Sequence, residues 1–111
     1  KASNQQVFAR NQAKFLLLNE VKKNKIKKIN TGPIFVIIMF HVKISNSTSK
    51  KKRDQLIGTP CDKKPDIDNY VKFILDIMNG IIYDDDRQIT RLTCEKIWSL
   101  NPKTELWIQK I

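Results

Sequence analysis

Apolar residues recur at helical spacing in two segments of the chain. Residues 67–79 give the clearer pattern, and its apolar stripe consists of Ile67, Tyr70, Val71, Ile74, Leu75 and Met78. Residues 8–24 give the second pattern, whose apolar face consists of Ala13, Leu17, Leu18 and Val21. Such stripes predict amphipathic helices that pack against a core. Asn79 and Gly80 are typical of residues that end a helix, here the one over residues 67–79.

The remaining apolar runs are typical of strands. Residues 34–44 are rich in Ile, Val and Phe and hold no turn residue, which predicts a strand buried on both faces. Residues 89–98 and 105–111 flank the turn sequence at 101–104, and this order predicts a hairpin. The polar stretch after the first strand predicts a short helix near residues 48–57, capped by a Ser or Thr.

Together these elements predict one α+β domain over residues 1–111. Their order is helix, strand, helix and hairpin, so we expect two main helices packed on a small mixed β-sheet. A chain of 111 residues with 41% apolar content is long enough for one such core. The chain begins with Lys1 rather than Met, which is consistent with a missing upstream segment.

Charge is divided unevenly along the chain, whose formal net charge is +10. Residues 1–53 carry thirteen Lys and Arg against one acidic residue, whereas residues 54–111 carry eight against ten. A basic half next to an acidic cluster favours a protein that binds nucleic acid and has a separate chemical site. The alternative is a solvated basic surface from a Lys-rich proteome, since Lys outnumbers Arg seventeen to four.

The cysteines and the hydropathy argue against secreted and membrane classes. Cys61 and Cys94 lie far apart, form no disulfide framework and lack metal-type spacing. The longest apolar run, at 34–40, has seven residues and is too short to span a membrane. No signal peptide is visible. We therefore expect a protein that acts in a reducing cytoplasm.

Seven of the eleven acidic residues lie between positions 62 and 86, and they are Asp62, Asp66, Asp68, Asp76, Asp84, Asp85 and Asp86. One interpretation assigns them to local structure. Asp66 would cap the helix over 67–79, and Asp68 would stabilise its first turn. The triplet at 84–86 would then be a solvated turn.

The other interpretation brings these acids together at a cation. The helix rises roughly 20 Å, so Asp86 can return to face Asp68 only if residues 80–88 run nearly extended. Two carboxylates about 4 Å apart repel by several kcal/mol unless one is protonated or a cation lies between them. An all-oxygen ligand set suits Mg²⁺ or Mn²⁺, which can activate water for phosphodiester cleavage.

Four motifs resemble, in order and spacing, the RusA family of Holliday-junction resolvases. These motifs are KPDIDN at 64–69, Lys72, ILDIMNGI at 74–81 and DDRQI at 85–89. The resemblance is strongest over residues 63–91 and continues more weakly through Lys96. Residues 3–11 resemble the segment that follows the family's first strand, and that strand is not found in this sequence.

The resemblance implies a homodimeric, Mg²⁺-dependent endonuclease that nicks four-way DNA junctions symmetrically, with Mn²⁺ able to replace Mg²⁺. It assigns the metal to Asp66, Asp68 and Asp86, and catalysis to these three residues and Lys72. Asp76 and Asp85 match positions that would support the metal ligands, and Asn69 either supports them as well or makes a structural hydrogen bond near the helix start. DNA contacts are expected from Lys50, Lys51, Lys52, Arg53, Lys63 and Lys64.

Several candidates also have a purely structural interpretation. Lys72 lies four residues from an Asp on either side, where an ordinary helix ion pair can form. The basic run at 50–53 is either a phosphate-binding loop or a solvated linker. His41 lies in an apolar run, and we expect a satisfied core residue. Trp98 and Trp107 are open to base stacking, core packing or dimer contact.

The leading hypothesis is a junction-resolving endonuclease of DNA recombination and repair, bacterial or encoded by a phage or prophage. The first alternative is a nuclease with a looser preference for branched DNA. The second is a DNA-binding protein without catalysis, which the presence of all the catalytic candidates disfavours.

Overall fold

The chain folds into three α-helices and a small mixed sheet over residues 4–111, the part that the computed structural model describes. The elements are α1 (Asn4–Lys23), β1 (Ile34–Lys43), α2 (Lys50–Leu56), α3 (Ile67–Met78), a 3₁₀ turn (Asp86–Gln88), β2 (Ile89–Ser99) and β3 (Lys103–Lys110). This is the α+β arrangement that the sequence pattern predicted. None of these three helices combines the length and the apolarity that crossing a membrane requires.

The sheet is built around β1, the most apolar strand. β1 pairs in parallel with β2 on one side and antiparallel with β3 on the other, so the strand order is β2-β1-β3. The predicted strands are confirmed, but the predicted hairpin between them is wrong. Residues 100–102 instead carry the chain past the end of β1, across the roughly 10 Å of two strand spacings. The central position satisfies both backbone edges of the apolar strand.

One face of the sheet forms the core. Ile34, Val36 and Ile38 alternate along β1 and are fully buried. The same cluster contains Tyr70, Ile74, Ile77, Met78, Ile82 and Tyr83. On the opposite face of β1, Phe35 and Ile37 are only half-buried. The expectation that this strand is buried on both faces therefore holds for one face.

Helix α3 lies on the core face and ends one residue earlier than predicted. The ring of Tyr70 stacks on that of Phe40 in β1, with centroids 3.8 Å apart, and this contact joins the helix to the sheet. Beyond the helix, Gly80 has a φ of +80°, a left-handed conformation that glycine adopts at little cost. The chain can therefore reverse direction immediately after α3.

Helix α1 packs one side against the core and exposes apolar residues on another. Ala13, Leu17 and Val21 contact the core as predicted. Leu18 was also expected there but is 50% exposed, because it lies about 100° around the helix from Leu17. It shares that outer side with three further exposed residues. We call this set the α1 outer stripe: Val7, Phe8, Phe15 and Leu18.

A short helix, α2, interrupts the polar connection as predicted. Ser49 occupies its N-cap, and the Ser49 hydroxyl accepts a hydrogen bond of 3.3 Å from the backbone N–H of Lys52. The basic run at 50–53 therefore lies in this predicted helix, and its description as a loop or a linker is wrong. Lys and Arg are good helix formers, and the capping serine defines where the helix begins.

Candidate active site

A cavity of about 350 Å³ lies between α3 and the 3₁₀ turn. Its wall consists of Ile67, Asp68, Val71, Lys72, Leu75, Asp76 and Asp86. We call it the acidic cavity. It brings together, from two separate elements, three of the four predicted catalytic residues and one predicted supporting residue.

Helix α3 supplies most of this wall. Asp68, Lys72 and Asp76 follow one another at intervals of four residues, so they lie one above the other on a single helix face. Three apolar residues of the predicted stripe line the cavity beside them: Ile67, Val71 and Leu75. The relative positions of the three charged groups are therefore set by the regular geometry of the helix.

Asp86 reaches the cavity from the other side, as the first residue of the 3₁₀ turn. We expected the return from α3 to run nearly extended, and this is wrong. The N–H of Gly80 donates to the carbonyl of Tyr83 at 2.7 Å, which closes a tight turn. The Tyr83 hydroxyl then donates to the carbonyl of Leu75 in α3 at 2.8 Å. The chain thus folds back directly against the helix, and no long return is needed.

Asp66 does not line the acidic cavity. It occupies the N-cap of α3, yet its carboxylate makes no capping hydrogen bond to the residues described. Within residues 4–111, no three His, Cys, Asp or Glu side chains lie close enough together to hold a metal ion. The structure thus places Asp68 and Asp86 at one cavity, and the assignment of Asp66 as a third ligand stays a prediction.

The three consecutive aspartates at 84–86 have different partners. Asp84 forms an ion pair with Lys28, with 2.6 Å between Oδ1 and Nζ. Asp85 caps the 3₁₀ turn, and its Oδ1 accepts a hydrogen bond of 2.9 Å from the N–H of Arg87. The carboxylate of Asp86 has no such partner in the described part of the chain. Of the triplet, Asp86 is therefore the residue available to a ligand in the cavity.

Lys72 is not held in an ion pair. Across residues 4–111, the ion pairs join Lys28 to Asp84 and His41 to Glu105. The ordinary helix ion pair that the sequence allowed for Lys72 is therefore not formed. Lys72 lines the cavity, and its ammonium group can meet an incoming anion.

Tyr83 is a residue of this region that the sequence analysis missed. It is fully buried, and this burial is the main cause that raises the pKa of its phenol. The negative charges of Asp86, Asp76 and Asp85 raise the pKa further. The hydroxyl therefore stays protonated at neutral pH and keeps donating to α3. An aromatic residue between the helix end and the acidic triplet was the available signal, but spacing alone does not reveal a hydrogen bond.

Lys96 is a second missed residue. From β2, its Nζ donates to the carbonyl of Pro65 at 2.7 Å and to the carbonyl of Lys63. These bonds attach the loop that precedes Asp66 to the sheet. The weak extension of the family resemblance through Lys96 was the signal.

The predicted DNA-contacting residues lie outside the acidic cavity. The lysines among them are exposed: Lys50, Lys51, Lys52, Lys63 and Lys64. Arg53 is half-buried and donates to the carbonyl of Thr48 at 3.1 Å. The lysine side chains are therefore free to meet phosphates, whereas Arg53 also stabilises the start of α2.

The remaining candidates, His41, Trp98 and Trp107, lie in the three strands of the sheet. His41 is half-buried, with its Nε2 2.5 Å from Oε1 of Glu105. Its Nδ1 is buried and has no partner among the described residues, so the expectation of a satisfied core residue is wrong in part. Trp98 is half-buried, whereas Trp107 is 50% exposed and does not belong to the core.

Two comparisons with known proteins give a match. The family model described as "Endodeoxyribonuclease RusA" matches residues 4–109. The "Uncharacterized protein YqaN" of Bacillus subtilis (strain 168) is 32% identical over 93 residues, which cover 80% of this chain and 66% of that relative. The chain thus matches just under two thirds of the relative's length. No solved structure matches. This chain belongs to the RusA family of endodeoxyribonucleases.

Proposed function

We propose that this protein is a divalent-metal-dependent endonuclease that resolves four-way DNA junctions by nicking two opposed strands. The observation that supports this most is the acidic cavity, where Asp68, Lys72 and Asp86 meet from two elements. Two carboxylates that can hold a cation, next to an unpaired ammonium that can hold an anion, suit the hydrolysis of a phosphodiester.

The donor chemistry of the acidic cavity fits a hard divalent cation. Asp68 commits one carboxylate oxygen, Oδ1, to the N–H of Asn69 at 2.9 Å, which leaves its second oxygen available. The carboxylate of Asp86 adds further oxygen donors from the opposite wall, and Mg²⁺ and Mn²⁺ prefer such ligands. We therefore assign the ion to Asp68 and Asp86, and the family motif adds Asp66, which lies at the N-cap of α3 outside the cavity wall. When bound, such an ion activates water and neutralises phosphate charge.

Lys72 supplies positive charge on the α3 side of the cavity. Its ammonium can stabilise the negative charge that develops on the phosphate in the transition state, or orient the attacking water. Because it is anchored on a helix and forms no ion pair within residues 4–111, this charge is already in place when the substrate arrives.

Three further residues support the metal ligands in this proposal. The backbone of Asn69 already holds one oxygen of Asp68. Asp76 lines the same cavity and adds negative charge. Asp85 caps the turn that begins at Asp86. Each of them acts on the position or the charge of a ligand.

DNA binding is assigned to the basic surface. Residues 1–53 carry thirteen Lys and Arg against one acidic residue, and the exposed Lys63 and Lys64 lie in the loop that leads to Asp66. Each phosphate that these residues neutralise adds about 0.9 to the slope of log affinity against log salt. We expect junction binding to weaken steeply with salt, and a flat response would argue against this surface.

We also propose a homodimer, since paired nicks on opposed strands require two active sites. The α1 outer stripe is a surface that a second copy can cover, with Phe8 63% and Phe15 64% exposed. Several large apolar side chains exposed on one side of a helix are typical of an interaction site. Sedimentation should give a dimer, and the substitution Phe15→Glu should weaken it. A strict monomer that still makes paired nicks would contradict this geometry.

The function is tested on a synthetic four-way junction with Mg²⁺ or Mn²⁺. We expect paired nicks in the junction and none in linear duplex of the same sequence. The substitution Asp68→Asn should lower the cleavage rate by more than about 100-fold, while junction binding survives because it depends on Lys and Arg. Asp54→Asn, at an exposed position of α2, is the matched control and should cut normally.

Other outcomes would favour the alternatives. A junction that is bound but never cut would indicate a DNA-binding protein without catalysis. Equal cutting of junction and linear duplex would indicate a nuclease without structural preference. Normal cutting by Asp68→Asn would show that Asp68 is not a metal ligand.

A further inference from the structure

The side-chain amide of Gln88 joins two separate segments of the chain. Its Oε1 accepts hydrogen bonds from the backbone N–H groups of Asp84 at 3.0 Å and Asp85 at 3.1 Å. Its Nε2 donates to the carbonyls of Ile29 at 3.2 Å and Gly32 at 3.3 Å. One side chain thus connects the acidic triplet to the loop that precedes β1.

These four hydrogen bonds require a side-chain amide with the length of glutamine. A primary amide offers two donors and an acceptor oxygen with two lone pairs, and Gln88 uses all of them. A glutamate at this position has no N–H to give to Ile29 and Gly32, and a methionine has neither function. Because both amide atoms are fully engaged, Gln88 is not free to contact substrate or metal.

The bonds of Gln88 fix the backbone on which Asp86 stands. The N–H of Gln88 donates to the carbonyl of Asp85 at 3.0 Å, so the turn around Asp86 is closed from both the main chain and the side chain. The loop on the far side is itself attached, since the N–H of Ile29 donates to the carbonyl of Ile82 at 2.8 Å. The turn that carries Asp86 is therefore held within a closed set of hydrogen bonds.

We propose that Gln88 is a positioning residue that sets where the Asp86 carboxylate stands relative to Asp68 across the acidic cavity. This inference rests on the proposed function, because it takes the cavity to be a metal site. Loss of the amide leaves Asp86 present and charged but free to move, so the cost falls on metal affinity and on the chemical step rather than on DNA binding.

Two substitutions of Gln88 separate its contacts. Gln88→Met removes all four hydrogen bonds at similar side-chain length. Gln88→Glu keeps acceptor oxygens for Asp84 and Asp85 but loses both donors and adds a charge beside the triplet. Gln109→Met, at an exposed position of β3, is the matched control.

The first measurement is direct Mn²⁺ binding to the DNA-free protein by calorimetry. Partners that orient metal ligands contribute about 10–100-fold to metal affinity. We expect the Mn²⁺ dissociation constant to rise about 10-fold or more in Gln88→Met and in Gln88→Glu, and to stay unchanged in Gln109→Met. Single-turnover junction cleavage should need correspondingly more Mn²⁺, and excess Mn²⁺ should restore much of the rate of Gln88→Met. The junction dissociation constant should change by less than about threefold.

Each alternative outcome bears on this inference. Parental Mn²⁺ affinity in both variants would overturn it. So would loss of the folded circular-dichroism signal in both, because Gln88 would then serve the fold as a whole rather than one carboxylate. If the parent protein binds Mn²⁺ but does not cut junctions, the proposed function fails while the calorimetry still decides the role of Gln88.

Discussion

The two walls of the acidic cavity are built in different ways. On one side, the twelve residues of α3 place Asp68, Lys72 and Asp76 on one face through the regular backbone of a helix. On the other side, Asp86 lies in a turn of three residues, which has almost no regular structure of its own. That turn is held by side-chain hydrogen bonds from Gln88 and, further back, from Tyr83.

This difference indicates which substitutions will displace the charged groups of the cavity. A helix fixes the relative positions of its side chains locally, so the charged groups of α3 depend little on any one neighbour. A short turn depends on the few side chains that hold it, so the loss of any one of them can displace the turn. We therefore expect single substitutions near Asp86 to have sharply different effects according to which partner they remove.

The largest effect expected from this comparison lies within the acidic triplet itself. Asp86→Asn should lower the rate of junction cleavage by more than about 100-fold, since it removes a charge that faces the cavity. Asp84→Asn should leave cleavage within about twofold of the parent, because Asp84 is engaged with Lys28 outside the cavity wall. The measurement is the single-turnover rate at saturating Mn²⁺.

The two variants control each other, because they remove the same charge two residues apart. The Lys28–Asp84 pair is 37% and 53% exposed, so its loss should change the free energy of unfolding by no more than about 1 kcal/mol. Equal loss of activity in both variants would mean that total charge, rather than the position of Asp86, controls the site.

The helical wall could be predicted from the sequence, because periodicity is a local signal. The spacing over residues 67–79 located α3 to within one residue and placed Asp68, Lys72 and Asp76 on one face. The same reasoning located α1 but put Leu18 on its buried side, because spacing defines a stripe more closely than it defines the stripe's edges.

The other wall could not be predicted in this way, because it depends on contacts between distant residues. The sequence suggested that Asp86 faces Asp68 but gave the wrong path for the return. Nothing in the spacing shows that Gln88 reaches Ile29, 59 residues away. The predicted hairpin was wrong for a related reason. The pairing of β2 and β3 depends on the two free edges of β1, and not on the turn that connects β2 to β3.

A smaller effect is expected at Lys96, which holds the loop that leads into α3, and it tests the prediction that Asp66 is a ligand. Lys96→Met removes the donor to the carbonyls of Lys63 and Pro65 and frees the loop before Asp66. If Asp66 is a ligand, Mn²⁺ affinity should fall about 10-fold in calorimetry, with Lys110→Met in β3 as the control. Unchanged Mn²⁺ affinity with weaker, less salt-dependent junction binding would instead identify Lys96 as a phosphate contact.

The smallest effect is expected at Tyr83, whose hydrogen bond to α3 joins the segment before the 3₁₀ turn to the helix. Tyr83→Phe removes the hydrogen bond to the carbonyl of Leu75, which still accepts from the N–H of Asn79 at 3.2 Å. The loss should be about 1 kcal/mol of unfolding free energy, seen as a decrease of roughly 4 °C in Tm, with cleavage within about threefold of the parent.

The pH dependence of that difference shows whether Tyr83 donates to α3 as a neutral phenol. Burial and the nearby carboxylates raise its pKa in the folded protein, so the stabilisation is fully present below about pH 10, where the unfolded phenol is still protonated. As the pH rises further, the unfolded state loses its proton first, and the advantage of Tyr83 over Phe should shrink. Between pH 7 and 9 the difference in Tm should be constant. A difference that already shrinks over this range would mean that the phenol ionises near neutral pH, and the two walls would then be joined by something other than this hydrogen bond.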